Sequence, residues 1–360
     1  MTITTEQAVQ LLQQLIAIPS FSKEEQGTAS LLFSWLGKYG VAADRIGNNI
    51  VAGNKYYDSS KPVLLLNSHH DTVKPATGYT RDPFDAAIVD GKLYGLGSND
   101  AGGSVVTLTA AFLHFYEQQD LPYNIMLAIT AEEEISGAGG ISMILPQFTT
   151  PDCAIVGEPT LLQMATAERG LLVLDCTATG KAGHAARNEG ENAIYKALQD
   201  IEWFRNFRFE KTSALLGPVT MQVTSIETAN KAHNVVPDNC RFTVDIRVNE
   251  QYTHEEILDI VRTQVQCDVQ ARSTRLRSSM IAEDHPLVQA GKALGLTAYG
   301  SPTLSDKALL PCPALKLGPG DSARSHMADE YIYVSEIEAG IQTYTRLLET
   351  FFNNVKKQQA

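Results

Sequence analysis

Several features are scarce in this 360-residue sequence, and each scarcity disfavours a class of protein. Lysine and arginine total 29 against 41 aspartates and glutamates, so the formal net charge is -12. Nucleic acids and anionic membranes bind basic surfaces, which disfavours both as partners. No apolar run approaches the ~20 residues that span a bilayer, and no basic leader precedes the first apolar residues. We therefore expect a cytoplasmic protein that acts on a small molecule.

Cysteine is also rare. The five residues are widely scattered and form no Cys-x-x-Cys pair: Cys153, Cys176, Cys240, Cys267 and Cys312. This spacing disfavours both a disulfide scaffold and a thiolate zinc site, so we expect buried thiols. Hydrophobic residues, in contrast, make up 44% of the chain, enough for one large or two ordinary domains.

Short apolar runs of strand length recur along the chain and alternate with helical or loop-like sequence. The runs cover residues 63–66, 125–130 and 153–156, and "ALKL" at 314–317 resembles a late return to the same sheet. This alternation predicts an α/β fold with a doubly wound, mainly parallel sheet. Ahead of it, Thr4-x-x-Gln7 predicts the start of one helix, and Ser22-x-x-Glu25 predicts the start of a second.

The pattern changes in the middle of the chain. Between 167 and 275 the order becomes strand, helix, strand, strand, and in "CRFTVDIRV" apolar residues alternate with polar ones. We therefore predict a smaller α+β domain at 167–275, inserted into a larger domain formed by 1–166 and 276–360.

Polar residues follow the carboxyl ends of the predicted strands, which is where open α/β sheets bind their ligands. His69 and Asp71 lie in "SHHDTV" after the first run, and three consecutive glutamates, 132–134, follow the second. A carboxylate beside an imidazole ligand commonly orients it. Asp100, in "GSNDAGG", precedes a helix-like segment, so a helix cap is its ordinary alternative. Taken singly, Glu158 in "VGEPT" and His326 in "GPGDSARSH" are compatible with a loop carboxylate and a surface histidine.

Taken together, these residues indicate one kind of site. Two histidines and at least three carboxylates form the mixed nitrogen and oxygen donor set of a two-zinc centre. Rival motifs fail: "GLGSND" lacks the third glycine of a dinucleotide fingerprint, and "TGKAGH" lacks the hydroxyl residue that follows lysine in a phosphate loop. "GDSAR" departs from the serine hydrolase elbow at its last position.

The motifs resemble those of the co-catalytic zinc hydrolases that include acetylornithine deacetylase, succinyl-diaminopimelate desuccinylase, aminoacylase and glutamate carboxypeptidase. In order they are "SHHDTV", "GSNDAGG", "TAEEEISG", "VGEPT", "KAGHAA", "NVVPDNCRFTVDIR" and "GPGDSARSH". The resemblance covers essentially the whole chain. One position departs from it, because Gly102 stands where the family usually has lysine.

The resemblance implies a role for ten residues. The implied metal ligands are His69 and Glu158 for one zinc ion, Glu134 and His326 for the other, and Asp100 as the bridge between them; cobalt is expected to substitute. The implied catalytic residues are Glu133 as general base, Asp71 as the group that orients His69, and His184, which a lid domain offers to the neighbouring subunit. The implied substrate-binding residues are Asn234 and Arg247.

The segment 80–100 is most similar to the acetylornithine deacetylase and succinyl-diaminopimelate desuccinylase branch. It implies a homodimeric, zinc-dependent deacylase that acts on N-acetylornithine or a relative such as N-acetylcitrulline in arginine biosynthesis. A desuccinylase or dipeptidase on the same scaffold, and a binding module with purely structural metals, are the alternatives. For Arg247 the alternative is a solvated strand residue, although its planar fork suits a carboxylate.

Overall fold

The computed structural model describes residues 1–359 and forms two compact units. The first unit comprises Met1–Thr166, Ile281–Tyr299 and Ser305–Ala360, and the second comprises Ala167–Met280 and Gly300–Leu304. The second unit thus runs to Met280, beyond the predicted limit at 275, and also takes in a short segment after 299. The predicted domain limits follow the change of sequence pattern, and they stay a prediction.

The α-helices are α1 (Thr5–Ile16), α2 (Gln26–Lys38), α3 (Gly103–Phe115), α4 (Ile141–Ile144), α5 (Ala193–Asn206), α6 (His254–Gln264), α7 (Pro286–Ala293) and α8 (Val334–Gln359). The first strands are β1 (Ala43–Ile46), β2 (Asn49–Gly53), β3 (Val63–His69), β4 (Ile88–Val89), β5 (Lys92–Tyr94), β6 (Asn124–Thr130), β7 (Cys153–Val156), β8 (Met164–Glu168) and β9 (Gly170–Thr179). The later strands are β10 (Gly183–His184), β11 (Thr220–Glu227), β12 (Val235–Val236), β13 (Asn239–Val248), β14 (Asp268–Ala271), β15 (Ser279–Met280), β16 (Ala298–Ser301), β17 (Ala314–Lys316) and β18 (Tyr331–Tyr333). No helix among residues 1–359 is long and apolar enough to cross a membrane.

The sheet of the first unit confirms the predicted mixed α/β fold. Its order is β1-β2-β6-β3-β7-β17, followed by β8, in which Ala165 faces Lys316. The central strands β6, β3, β7 and β17 run parallel, and β1 and β2 pair antiparallel at one edge. The carboxyl ends of the four parallel strands therefore meet at one edge of the sheet.

Helices and loops cover both faces of this sheet, which explains why its strands are apolar without alternation. Every residue of β3 and β6 is buried. Leu64 and Leu66 face a core that includes side chains of α1, α3 and α8, whereas Val63 and Leu65 face a second core that includes α4. Successive residues of β3 thus point to opposite faces of the sheet and pack in different cores.

One sequence-based expectation about local structure is wrong, and a second, that the cysteines are buried thiols, holds for only three of the five. Helix α2 begins at Gln26 and its N-cap residue, Glu25, makes no side-chain capping bond. Ser22 does not cap it, because the Ser22 hydroxyl donates to Oδ2 of Asp71 over 2.7 Å. Of the five cysteines, Cys267 and Cys312 are only partly buried. At the first helix, by contrast, Thr4 forms the predicted capping box.

The second unit is an antiparallel sheet in the order β11-β13-β9-β14 with its own core. The predicted alternation in β13 is present, because the four apolar residues that were expected to alternate are buried: Phe242, Val244, Ile246 and Val248. Helix α5 contacts β9, β11 and β13. The structure adds α6 and β14, which the sequence analysis did not predict.

Candidate metal centre

The positions of the five predicted ligands are explained by the strand order of the first unit and by two of its loops. His69 is the last residue of β3, Glu158 follows β7 by two residues, and Glu134 follows β6 by four. Asp100 lies in the turn 98–102 that leads into α3, and His326 lies between β17 and β18. Because parallel strands end at the same edge, the sheet places the first three beside one another, and two loops bring the others.

Each carboxylate oxygen of Asp100 faces a different histidine. Oδ1 lies 3.2 Å from Nε2 of His69, and Oδ2 lies 3.8 Å from Nε2 of His326. His69 Nε2 is also 3.8 Å from Oε1 of Glu158, while His326 Nε2 is 2.9 Å from Oε2 of Glu134. The arrangement therefore has two halves that share one aspartate.

The described chain contains two groups of three side chains whose possible ligand atoms, within each group, all lie within 4.8 Å of one another. One group comprises His69, Asp100 and Glu134, and the other comprises His69, Glu133 and Glu158. Glu133, the predicted base, thus stands among the ligands, with its Oε2 3.9 Å from Nε2 of His69.

Asp71 contacts both the imidazole of His69 and the loop that carries Glu133 and Glu134. Its backbone oxygen lies 3.0 Å from Nδ1 of His69, and its Oδ1 is 3.4 Å from the same nitrogen. Oδ1 accepts the backbone N–H of Glu133, and Oδ2 accepts that of Glu134. The position of His69 is thereby tied to that of the glutamates.

His70 takes no part in the cluster. Its Nδ1 lies 2.9 Å from the hydroxyl of Thr28, and its Nε2 lies 2.9 Å from the backbone oxygen of Asn48. Both ring nitrogens are therefore engaged elsewhere, as expected for adjacent residues of a strand whose side chains point to opposite faces.

Gly102 occupies a position without room for a side chain. A Cβ atom there would lie 2.4 Å from the backbone oxygen of Gly97 and 2.6 Å from Cδ1 of Leu12. The lysine that the zinc hydrolases named above usually carry at this position therefore has no space in this turn.

Burial and neighbouring charges disfavour the ionised form of two carboxylates in the cluster. Burial raises the pKa of Glu158 to about 8, with the charge of Asp100 adding to the effect and His69 opposing it. Burial also raises the pKa of Glu133 well above its usual range, with Glu158 and Asp306 adding to it against His69. Crowded, buried carboxylates of this kind favour a bound cation, and histidine nitrogen with carboxylate oxygen suits zinc. The donor set therefore fits a divalent metal.

Two buried carboxylates near the cluster escaped the sequence analysis. Asp306 is 4% exposed, and its Oδ2 accepts the hydroxyl of Thr130 over 2.7 Å; burial raises its pKa to about 6. Glu330 is 3% exposed and accepts backbone N–H groups of the turn that carries Asp100. Glu330 follows His326 in "HMADE", and this proximity is its only sequence signal.

The remaining predicted residues belong to the second unit. His184, in β10, pairs with Val235 of β12, and the N–H of Ala185 donates to the backbone oxygen of Asn234. His184 and Asn234 therefore lie side by side, both exposed. Arg247, in β13, donates from Nε and Nη2 to the two oxygens of Asp245, over 2.8 and 3.0 Å.

The fold and the cluster define the class of protein. A doubly wound sheet with histidines and carboxylates converging at its ligand edge is the architecture of a metal-dependent hydrolase. The chain belongs to peptidase family M20/M25/M40, since the sequence model of that family matches residues 65–350. It is an enzyme of this amide hydrolase family.

Named relatives match along nearly the whole chain. A succinyl-diaminopimelate desuccinylase 2 from Ruegeria sp. (strain TM1040) is 27% identical, covering 97% of this chain and 96% of the relative. An acetylornithine deacetylase from Proteus mirabilis (strain HI4320) is 30% identical, covering 98% of each.

Solved structures share the fold at low sequence identity. A tripeptidase from Staphylococcus aureus superposes with a TM-score of 0.77 at 18% identity, covering 98% of this chain and all of its own. A dinuclear metal-binding M20 peptidase from Bacillus subtilis superposes with a TM-score of 0.73 at 15% identity, covering 97% of this chain and 98% of its own. These likenesses concern the fold.

Proposed function

We propose that this enzyme is a zinc-dependent deacylase that removes the acetyl group from N-acetylornithine, or from a close relative such as N-acetylcitrulline, in arginine biosynthesis. The observation that carries the proposal is the division of the Asp100 oxygens between His69 and His326, with Glu133 beside them. The 30% identity to an acetylornithine deacetylase supports the choice of substrate.

The two halves of the cluster would hold two zinc ions. His69 and Glu158 would hold one, Glu134 and His326 the other, and Asp100 would contact both. Bound zinc supplies a polarising charge for the amide carbonyl and lowers the pKa of a coordinated water to about 7. Cobalt, which takes similar ligands, is expected to replace zinc.

Glu133 is the residue placed to move the proton. Its Oε2 lies 3.9 Å from Nε2 of His69, it is not one of the five proposed ligands, and Asp71 fixes its backbone. Burial raises the pKa of Glu133, which makes its carboxylate a stronger base toward water. The same carboxyl can then return the proton to the departing amine. A closed, purely structural metal site has no use for such an additional carboxyl.

The second unit would supply substrate contacts. We assign the α-carboxylate of the substrate to Asn234 and Arg247, since a guanidinium binds both oxygens of a carboxylate. Asp245 already holds the guanidinium of Arg247 in one plane. His184, which is exposed, would stabilise the negative oxygen of the amide carbonyl in the active site of a second copy.

The proposed homodimer is supported by the surface of the second unit. Among residues 1–359, strand β11 pairs only with β13 and so leaves one edge open, and most of its residues are exposed. Tyr195 and Leu198 of α5, which packs on the same sheet, are 67% and 49% exposed. An open strand edge beside apolar side chains is a surface that a second copy can cover.

A desuccinylase is the second candidate, because several relatives at 26–28% identity are succinyl-diaminopimelate desuccinylases. The two candidates share the cluster and differ in the acyl group that the enzyme admits. A panel of N-acetylornithine, N-acetylcitrulline, N-succinylornithine and N-succinyl-diaminopimelate, assayed with zinc or cobalt for released amine, separates them. Release from succinyl substrates alone would refute the acetyl assignment, and release from none would refute deacylation.

A further inference from the structure

Two buried polar side chains outside the proposed ligand set join the loops that carry Asp100 and His326. Asn99 is fully buried and precedes Asp100, and Glu330 is 3% exposed and follows His326 by four residues. Neither side chain lies in the two groups of possible ligand atoms. Their contacts show what they hold.

Glu330 fixes the turn of Asp100 through three backbone bonds. Its Oε1 accepts the N–H groups of Asn99 and Asp100, each over 2.9 Å, and its Oε2 accepts that of Gly97 over 3.0 Å. Hydrogen bonds from backbone N–H to a carboxylate are roughly twice as strong as those between neutral groups. The turn is thereby anchored to the segment that follows His326.

Asn99 fixes the same turn to the segment that precedes His326. Its Oδ1 accepts the N–H of Asp321, and its Nδ2 donates to the Asp321 backbone oxygen, both over 3.0 Å. Nδ2 also lies 3.4 Å from Oγ of Ser325, the residue before His326. At Gly320, which has φ of 88°, a Cβ would lie 2.4 Å from Oδ1 of Asn99, so this approach requires glycine.

We propose that Asn99 and Glu330 are positioning residues that set the spacing of Asp100 and His326, and with it the affinity for the second metal ion. The inference rests on the proposed two-zinc function. His69 ends a parallel strand, and Glu158 and Glu134 follow parallel strands by two and four residues, whereas Asp100 and His326 lie in the two segments that Asn99 and Glu330 join. The ion at His69 and Glu158 takes one of its three protein ligands from these loops, and the ion at Glu134 and His326 takes two of three. Loosening the loops therefore weakens the second ion more.

The test first removes bound metal from the complete chain with a chelator and then adds zinc. Binding is measured by calorimetry and by the metal content of the protein after gel filtration. The unsubstituted protein is expected to bind two ions per chain. Asn99→Ala should keep the first ion within about threefold and bind the second about 10- to 100-fold more weakly, as is typical when a residue that orients ligands is lost. Glu330→Gln should act in the same direction, because its amide places N–H groups against backbone N–H donors.

Two buried residues provide matched controls. Asn124 bonds backbone groups of Asp58 and Lys61 at the start of β6, the opposite end of the sheet. Asp200 accepts two backbone N–H groups in the second unit. Asn124→Ala and Asp200→Asn should retain both ions. If Asn99→Ala does not fold, Asn99→Asp, which keeps the acceptor and loses the donor, gives the same comparison.

The outcomes separate the inference from the proposed function. Fewer than two ions in the unsubstituted protein would contradict the two-zinc proposal itself. Two ions there, with unchanged second-ion affinity or with equal loss of both ions in the Asn99 and Glu330 variants, would overturn the positioning role alone.

Discussion

The carboxylate of Asp71 accepts the backbone N–H of Glu133 over 3.0 Å. The same residue lies against Nδ1 of His69 through its backbone oxygen, at 3.0 Å. One buried aspartate therefore sets both an imidazole of the proposed metal pair and the proposed base. The geometry of proton transfer and the geometry of metal binding are consequently coupled through Asp71.

Asp71→Asn is expected to impair both tasks at once. The amide places an N–H₂ group against a backbone donor, so the loop of Glu133 loses a fixed position. His69 keeps its bond to the backbone oxygen but loses the carboxylate charge 3.4 Å from its Nδ1. We expect zinc affinity to fall about 10- to 100-fold, measured by calorimetry. Ser22→Ala, which removes only the hydroxyl donor to Asp71, is the control and should change affinity far less. Equal effects of both substitutions would argue against the coupling.

Glu133→Gln is expected to separate catalysis from metal binding. The amide cannot carry the proton, so kcat should fall about 10²- to 10⁴-fold, while the ligands stay in place. Turnover and zinc content of the same preparation provide the measurement. Glu132→Gln is the neighbouring control, since Oε2 of Glu132 accepts the N–H of Gly139 and an amide oxygen can do the same. Undiminished turnover in Glu133→Gln would remove Glu133 from the mechanism.

Arg247→Lys is expected to weaken substrate binding rather than chemistry. An ammonium group cannot reproduce the two parallel bonds of a guanidinium, so KM should rise about 10- to 100-fold with a smaller change in kcat. Arg272→Lys is the control, because Arg272 makes the same two-bond pair with Asp175 on the same sheet. An equal effect on a substrate analogue without the α-carboxylate would rule out the proposed contact.

His254 is expected to make the protein sensitive to acid. Burial lowers its pKa below 6.5, with a bond to the Thr274 oxygen opposing, and Nε2 has no partner among residues 1–359. The unfolded chain thus binds a proton more readily, so stability present above about pH 6.5 is lost as the pH falls toward the folded-state pKa. The free energy of urea unfolding should fall less between about pH 7.5 and 5.5 in His254→Gln than in the unsubstituted protein. The exposed His233 is the control site, and His233→Gln should leave the difference unchanged.

Leu198→Glu is expected to prevent dimer formation, because it places a charge in the exposed apolar face of α5. Molar mass from light scattering after gel filtration should fall to that of one chain, and turnover should fall with it if His184 serves a second copy. Phe33→Glu, at a 43% exposed site of the first unit, should retain the mass of the unsubstituted protein. A fully active monomer would exclude the proposed role of His184.

The sequence predicts the parallel sheet and the polar residues that follow its strands because both depend on local pattern. Buried strands are continuously apolar, and His69, Glu134 and Glu158 follow such strands closely. Glu330 and Asp306 could not be found in this way, because their partners Asp100 and Thr130 lie 230 and 176 residues away. Only the folded chain shows that these carboxylates are buried.

Local patterns also mislead where a distant partner competes for the same atom. Ser22 has the spacing of a helix cap, yet its hydroxyl bonds Asp71 across 49 residues. Side-chain oxygens of serine serve either task, so spacing alone does not decide. Helix α6 is the opposite case, since Thr253 and Glu256 have the spacing of a capping box and form one in the structure.

Strand β17 lies inside the sheet between β7 and β8, although it is supplied from near the end of the chain. During synthesis the edge of β7 must therefore stay unpaired until residues 314–316 emerge, which happens only after the whole second unit has been synthesised. The unit that is begun first is the last to be finished. Exposed strand edges recruit other chains, so the nascent protein passes through an interval in which a chaperone has a defined target.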